Sequence, residues 1–371
     1  MNTNNLTGLE KWNLLVSGQD APKMVSPLCD DWSLDVPYYW PFEGADPCPP
    51  GHRLHGIGQQ IAMAGACGYD PTFLCGVPFP ARRAEANPRV TTTAIDGGTE
   101  VTTVYDTPYG ELKSIVQKKT SLHEVKPFFE TEDDYRRMAW VIRQQIDYDE
   151  DAAVAAGLEQ KKIFGQHGPM GTWWNPPCQI AFSEQGIYHL ADWPDAVAEC
   201  VAAHRELGTK QIATLRKAGF DYLFYCVSST EMISPAFFEK YCAHDVEETL
   251  AQWRGLGGWI LWHSCGRISA FIERGYYNRY KPEVFETMSE PPVGDLPSLA
   301  WGRQRLDRAI VTKGNVPLNI MLYGTPQDVR NDVARIRQQT QGYRHVVGLS
   351  DDILKNTPLA NMRAFVDASR E

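Results

Sequence analysis

The segment Trp262-His263-Ser264-Cys265-Gly266 closes the apolar run GGWILW and sets an imidazole and a thiol two positions apart. Side chains alternate along a strand, so both would point to one face, where together they can chelate a single ion. Imidazole with thiolate suits Zn²⁺, which would take further ligands from other strand ends and keep one position open for catalysis. On spacing alone, a satisfied core histidine and a buried thiol are the commoner outcome. Other apolar runs end in carboxylates: Glu231 after YCVSST, Glu286 and Glu290 around FETMSE, Asp295 in VGD, and Asp351-Asp352 after HVVGLS. Acids at such places also cap helices, and Asp295, just before a helical run, reads equally well as cap or site residue. After Asp351-Asp352, Thr357-Pro358 offers an N-cap and N1 of its own, which leaves the two aspartates for the site. Aromatic rings cluster in VPYYWPF (Tyr38, Tyr39, Trp40) and GTWWNPP (Trp173, Trp174, followed by Asn175). Such clusters usually fill cores; in loops they wall a pocket or a partner surface.

The elements that must position these residues follow from the hydrophobic pattern. From Thr131 onward helical segments alternate with short apolar runs, among them FDYLFYCVS, GWILWHSCG, EVFETMSE, AIVTKGNV and HVVGLSDD. Short strands each followed by a helix predict parallel βαβ units and an α/β fold. With the runs near Leu28 and Phe73 the count reaches about eight, which suits a TIM (β/α)₈ barrel with its chemistry at the C-terminal strand ends. An N-terminal extension precedes it, and β-branched alternation around Asp96-Gly97-Gly98 in residues 89–120 predicts a β-hairpin followed by another strand, an antiparallel insertion. The chain has no internal repeat, low-complexity tract or Ser/Gly linker, so residues 1–371 read as one domain.

Composition narrows the function. With 46 acidic and 36 basic residues the formal charge is −10, a balance that repels a phosphate backbone and offers no polybasic segment to anionic lipid. Neither nucleic acid nor a membrane is an expected partner. The start of the chain lacks a basic segment followed by an apolar run, and a cytoplasmic location is expected. Nine cysteines, an odd number with no C-x-x-C pair, suggest reduced thiols rather than a disulfide framework. Without a P-loop, a G-x-G-x-x-G after a strand or a G-x-S-x-G, nucleotide, dinucleotide and serine-hydrolase readings have no support.

The ordered succession ISPAFFEKYCAHDVEETLAQWRGLGGWILWHSCGR, SEPPVGDLPSLAWGR, KGNVPLNIMLYGTPQDVRNDV and GLSDDILKNTPLANMRAFVDA resembles the uroporphyrinogen decarboxylase superfamily over residues 160–371, with QHGPMGTWW matching its Gly-Pro segment. The resemblance implies a TIM barrel and one of two activities: porphyrinogen decarboxylation, or zinc-dependent methyl transfer with corrinoid proteins. True decarboxylases of the family carry an Arg-containing segment in the first strand-to-helix loop. Here the corresponding stretch, Met24 to His52, holds Asp30, Asp31, Asp35, Glu43 and Asp46 and neither Lys nor Arg. A polycarboxylate would be repelled there, which disfavours that branch.

The methyltransferase branch implies a zinc set of His-x-Cys plus a later Cys six residues before a Thr-Pro. His263 and Cys265 match the first two; Asp351 stands at the third position, and no cysteine follows Cys265. Either Asp351 supplies an oxygen ligand or zinc is not bound in the familiar way; the first is favoured, because a carboxylate keeps the ligand charge but donates less electron density and leaves a stronger Lewis acid. Such a centre suits a small methylated substrate, an O-methyl ether being one donor. Glu231 or Glu290 would be a fourth ligand or a general acid for the leaving oxygen. Tyr38, Tyr39, Trp40, His167, Trp173, Trp174 and Asn175 would bind substrate or meet the carrier. No D-x-H-x-x-G cobalamin signature occurs, so the corrinoid is expected on a separate protein. The alternatives are a decarboxylase-like enzyme acting on a less anionic substrate through Asp30 or Asp31, and a barrel that binds a tetrapyrrole or corrinoid without turnover.

Overall fold

A computed structural model describes residues 6–28, 55–181, 183–227, 233–354 and 356–371. The strands are β1 (Phe73–Leu74), β2 (Arg89–Ile95), β3 (Gly98–Thr107), β4 (Gly110–Lys118), β5 (Leu122–Lys126), β6 (Met170–Trp174), β7 (Tyr222–Cys226), β8 (Trp259–His263), β9 (Val284–Glu286), β10 (Val311–Val316) and β11 (His345–Leu349). Seven of them form one parallel sheet in the order β1-β6-β7-β8-β9-β10-β11, and helices fill the crossovers. Every residue of β7, β8, β9 and β10 is buried, as expected for strands covered on both faces.

The sheet curls in the manner of a TIM barrel, but among the described residues no continuous ladder closes it. The expected eighth strand near Leu28 is present only as isolated parallel bridges, Val25 to Val347 and Leu28 to Asp352. Pro27 sits between those bridges without an N–H to give, which limits ladder formation there. On its other side this segment accepts a single backbone hydrogen bond, from Asp70 N to Val25 O.

Inside the curl, Trp12, Leu15, Tyr222, Phe224, Trp259, Leu261 and Val311 belong to one buried cluster. Trp12 arrives on the helix Gly8–Val16, started by a capping box in which Thr7 and Glu10 satisfy each other's backbone N–H groups. Its ring stacks on Trp259 at 6.0 Å, and Tyr222 stacks on Trp259 at 4.7 Å. Gly171 makes room for this layer, since a Cβ there would lie 2.2 Å from the Tyr222 ring. A second, larger core fills the space between the strands and the outer helices.

The antiparallel insertion is wider than the hairpin expected over 89–120. It is a four-stranded sheet, β2-β3-β4-β5, reaching Lys126. Asp96-Gly97 makes its first two-residue turn, with Gly97 at φ 73°, a left-handed conformation that glycine adopts without strain. Among the described residues no helix is long and apolar enough to cross a membrane.

Candidate metal centre

His263 is the last residue of β8, Cys265 follows two positions later, and Asp351 lies two positions beyond β11. These strands are not neighbours, so only the curl of the sheet brings them together. One ligand atom from each of the three lies within 4.8 Å of the others, and His263 is 4% exposed. Tetrahedral zinc with bonds of about 2.0–2.3 Å separates its ligand atoms by about 3.3–3.8 Å, so a small closure would seat an ion. One nitrogen, one sulfur and one carboxylate oxygen, converging where strands end, form a donor set that fits Zn²⁺.

Behind the trio lies a buried relay. His263 Nδ1–H donates to Glu286 Oε1 at 2.8 Å, and Lys313 Nζ donates to Glu286 Oε2 at 2.5 Å. The strand register makes this unavoidable: His263 pairs with Glu286 across β8 and β9, and Glu286 with Lys313 across β9 and β10, so the three side chains leave the sheet on one face. With Nδ1 committed to Glu286, Nε2 is the nitrogen left to face an ion, the usual arrangement behind a metal-bound histidine.

Electrostatics follow from this geometry. Burial pushes the His263 imidazole down, but hydrogen bonds to Cys265 and Glu286 outweigh it and, without metal, raise its pKa to about 10. Burial pushes the Glu286 carboxyl up; the charge of Lys313 and the His263 hydrogen bond more than reverse this and hold it below the usual range. Past β9 the backbone turns left-handed at Thr287 (φ 76°) and Met288 (φ 48°), a costly conformation that Thr287 helps to hold by donating to Ser264 O at 2.7 Å. That bond ties the end of β9 to the segment carrying Cys265.

The remaining candidates divide. Trp173 stands over the site, its ring centroid 6.2 Å from that of His263 and 5.1 Å from that of Phe224, and it is 38% exposed. Its Nε1–H donates to Asn175 Oδ1 at 2.5 Å, while Asn175 Nδ2 donates to Cys226 O at 2.9 Å, so Asn175 fixes the indole against β7. Trp174, on the other face of β6, lines a cleft with Leu207, Gly208 and Ile212 of the helix Pro194–Lys217, and Trp173 and Asn175 line the same cleft. The expected place of His167 beside the substrate is corrected: it is exposed and precedes β6, at the opposite end of the strand from the trio.

Glu290 is not among the clustered donors. Its Oε1 accepts from the backbone N–H of Leu299 and from Arg335, each at 3.0 Å, which commits it to a helix start and an ion pair. Asp295 caps the helix Ser269–Glu273 through the N–H groups of Ile268 and Ser269. Glu231, Tyr38, Tyr39, Trp40, Asp30 and Asp31 lie outside the described residues. The residues that sequence reasoning missed are Lys313, which it never singled out, and Glu286, which it noted as a strand-end acid without a role.

Comparison with known proteins places this geometry in a family. The family model for uroporphyrinogen decarboxylase (URO-D) matches residues 185–371, the part that carries β7 to β11 and the three converging donors. Uroporphyrinogen decarboxylases of Prochlorococcus marinus strains NATL2A and NATL1A are 33% and 32% identical over 93 residues. That segment is 24% of this chain and 26% of each relative, so the match spans about a quarter of their length. Among solved structures, a methyltransferase from Methanosarcina mazei superposes with a TM-score of 0.60 over 98% of both chains at 14% identity, a likeness of fold. The half of the chain that builds the trio is thus the half the family model recognises, and the chain belongs to the uroporphyrinogen decarboxylase family.

Proposed function

We propose that this protein is a zinc-dependent methyltransferase that moves a methyl group between a small methylated substrate and the corrinoid of a separate protein. The observation that carries the reading is the convergence of His263, Cys265 and Asp351, with Glu286 behind His263. Fold likeness along the whole chain to the Methanosarcina mazei methyltransferase supports methyl transfer. The five acids and absent cations between Met24 and His52 speak against a porphyrinogen substrate.

His263 Nε2, Cys265 Sγ and Asp351 would hold the ion. Zn²⁺ at this centre supplies Lewis acidity, drawing electron density from the oxygen of an O-methyl donor so that its methyl carbon is open to a nucleophile. Glu286 keeps the imidazole in the tautomer that leaves Nε2 free. Trp173, pinned by Asn175, offers a flat wall beside the centre against which a planar substrate packs and from which water is excluded. The donor's methyl carbon would bond to the Co(I) corrinoid of the separate protein as its C–O bond breaks with the electron pair left on oxygen, and that oxygen would take a proton from solvent.

Metal analysis tests the reading. Protein purified without added zinc is expected to hold about one ion per chain, lost in Cys265→Ala and in Asp351→Ala. A wild type that is metal-free and takes up no added zinc would overturn it. The weight would then pass to a decarboxylase-like reaction on a non-porphyrin substrate, which the identity to the Prochlorococcus enzymes favours, or to a tetrapyrrole- or corrinoid-binding barrel.

A further inference from the structure

Two charged groups at the centre are not in the donor set, and they are among the most deeply buried in the molecule. Glu286 and Lys313 are each 2% exposed and 2.5 Å apart, and Glu286 joins the pair to the trio through its hydrogen bond with His263. Burying an ion pair is expensive and seldom stabilises a fold better than apolar residues of the same volume would. Lys313 lies mid-strand in β10, between Thr312 and Gly314, where apolar residues would pack readily.

We infer that Lys313 is a positioning residue of the metal centre: acting through Glu286, it sets the orientation of His263 and balances the carboxylate behind it, without touching the ion. The inference rests on the reading of His263, Cys265 and Asp351 as a cation site. Its logic is a charge sum. A divalent cation with neutral imidazole, thiolate and carboxylate adds to zero, and Glu286 with Lys313 adds to zero again. The carboxylate can therefore strengthen the imidazole as a donor without leaving a net negative charge in the interior. Removing one member of the pair unbalances the site in a direction fixed by which member goes. Without the carboxylate, an uncompensated ammonium faces the cation; without the ammonium, an uncompensated carboxylate attracts it.

A double-mutant cycle tests this on the full-length protein, with zinc affinity measured by chelator competition and ligand geometry by the visible absorption of the Co²⁺ form. Glu286→Gln is expected to weaken zinc about 10- to 100-fold and shift the Co²⁺ bands. Lys313→Met is expected to tighten zinc, and the double variant to fall between the two single ones. Lys313→Arg keeps the charge and should stay within about threefold of wild type, which guards the test if Lys313→Met fails to fold. A purely structural pair would lower the unfolding midpoint in every variant while leaving the affinity and Co²⁺ spectrum of the folded protein unchanged. That result, or single variants shifting affinity in the same direction, overturns the inference. A wild type that binds neither Zn²⁺ nor Co²⁺ would instead overturn the metal-site reading beneath it.

Discussion

At the base of the curled sheet Trp12, Tyr222 and Trp259 stack face to face, whereas at the other end the same sheet delivers His263, Glu286 and Lys313 in register. Two histidines show the contrast most sharply. His345, at the start of β11, is hydrogen-bonded to neutral partners, Thr312 Oγ1 at 2.9 Å and the Gly314 carbonyl at 2.7 Å, and burial, helped by the charge of Arg303, pushes its pKa down to about 4. His263, at the end of β8, is the less exposed of the two but faces a thiol and a carboxylate, and its pKa rises to about 10. Burial alone thus decides little; the charge of the partners decides whether a buried imidazole is held neutral or cationic. The base is organised for cohesion, and the strand ends hold charge that cohesion does not need.

If that division is right, the most damaging single change should lie at the base. Trp12→Ala is expected to cost about 3–5 kcal/mol in urea unfolding while leaving the zinc affinity of the folded molecules unchanged. Asp351→Ala should do the reverse. Its zinc affinity is expected to fall by more than the about 10- to 100-fold that outer partners are worth, with the metal-free unfolding free energy moved by less than about 1 kcal/mol. A large loss of stability in that variant would erase the contrast.

Protons sharpen the comparison further. His263 is raised above its ordinary 6.5, so its contribution to the metal-free fold is complete below that pH and lost as pH climbs towards about 10. His345 is depressed to about 4, so its contribution is present above pH 6.5 and lost as pH falls towards 4. Urea midpoints of metal-free protein should therefore decline on both sides, with His263→Gln flattening the alkaline limb and His345→Gln the acid one. The smallest effect is expected from Trp173→Ala: zinc affinity within about threefold of wild type, and any loss confined to substrate affinity, as removal of a packing wall requires.

The parts of this site that the chain order reveals are those governed by local rules. Strand alternation puts His263 and Cys265 on one face; Asp351, six residues before Thr357-Pro358, was legible as a candidate third donor only through the family resemblance. The same alternation separates Trp173 from Trp174, a distinction available from the period of two but hidden when both are assigned to a loop. Register is a different matter. Glu286 and Lys313 meet His263 only because β8, β9 and β10 are aligned at those rungs, and no property of a single strand sets that alignment. The partners of Glu290 are hidden for a similar reason, since Arg335 comes from a helix 45 positions away. The fold itself was legible as alternating short strands and helices, while the broken eighth strand was not, because an apolar run looks the same whether it pairs fully or by isolated bridges.

Trp173 has one more consequence. An indole 6.2 Å from the His263 ring, held by Asn175 and 38% exposed, sits where a change in the charge of that imidazole alters its emission. The difference between wild type and Trp173→Phe separates its signal from the rest of the eleven tryptophans. If the trio holds an ion as proposed, Trp173 would serve as its optical reporter, able to follow occupancy in real time even by a colourless ion.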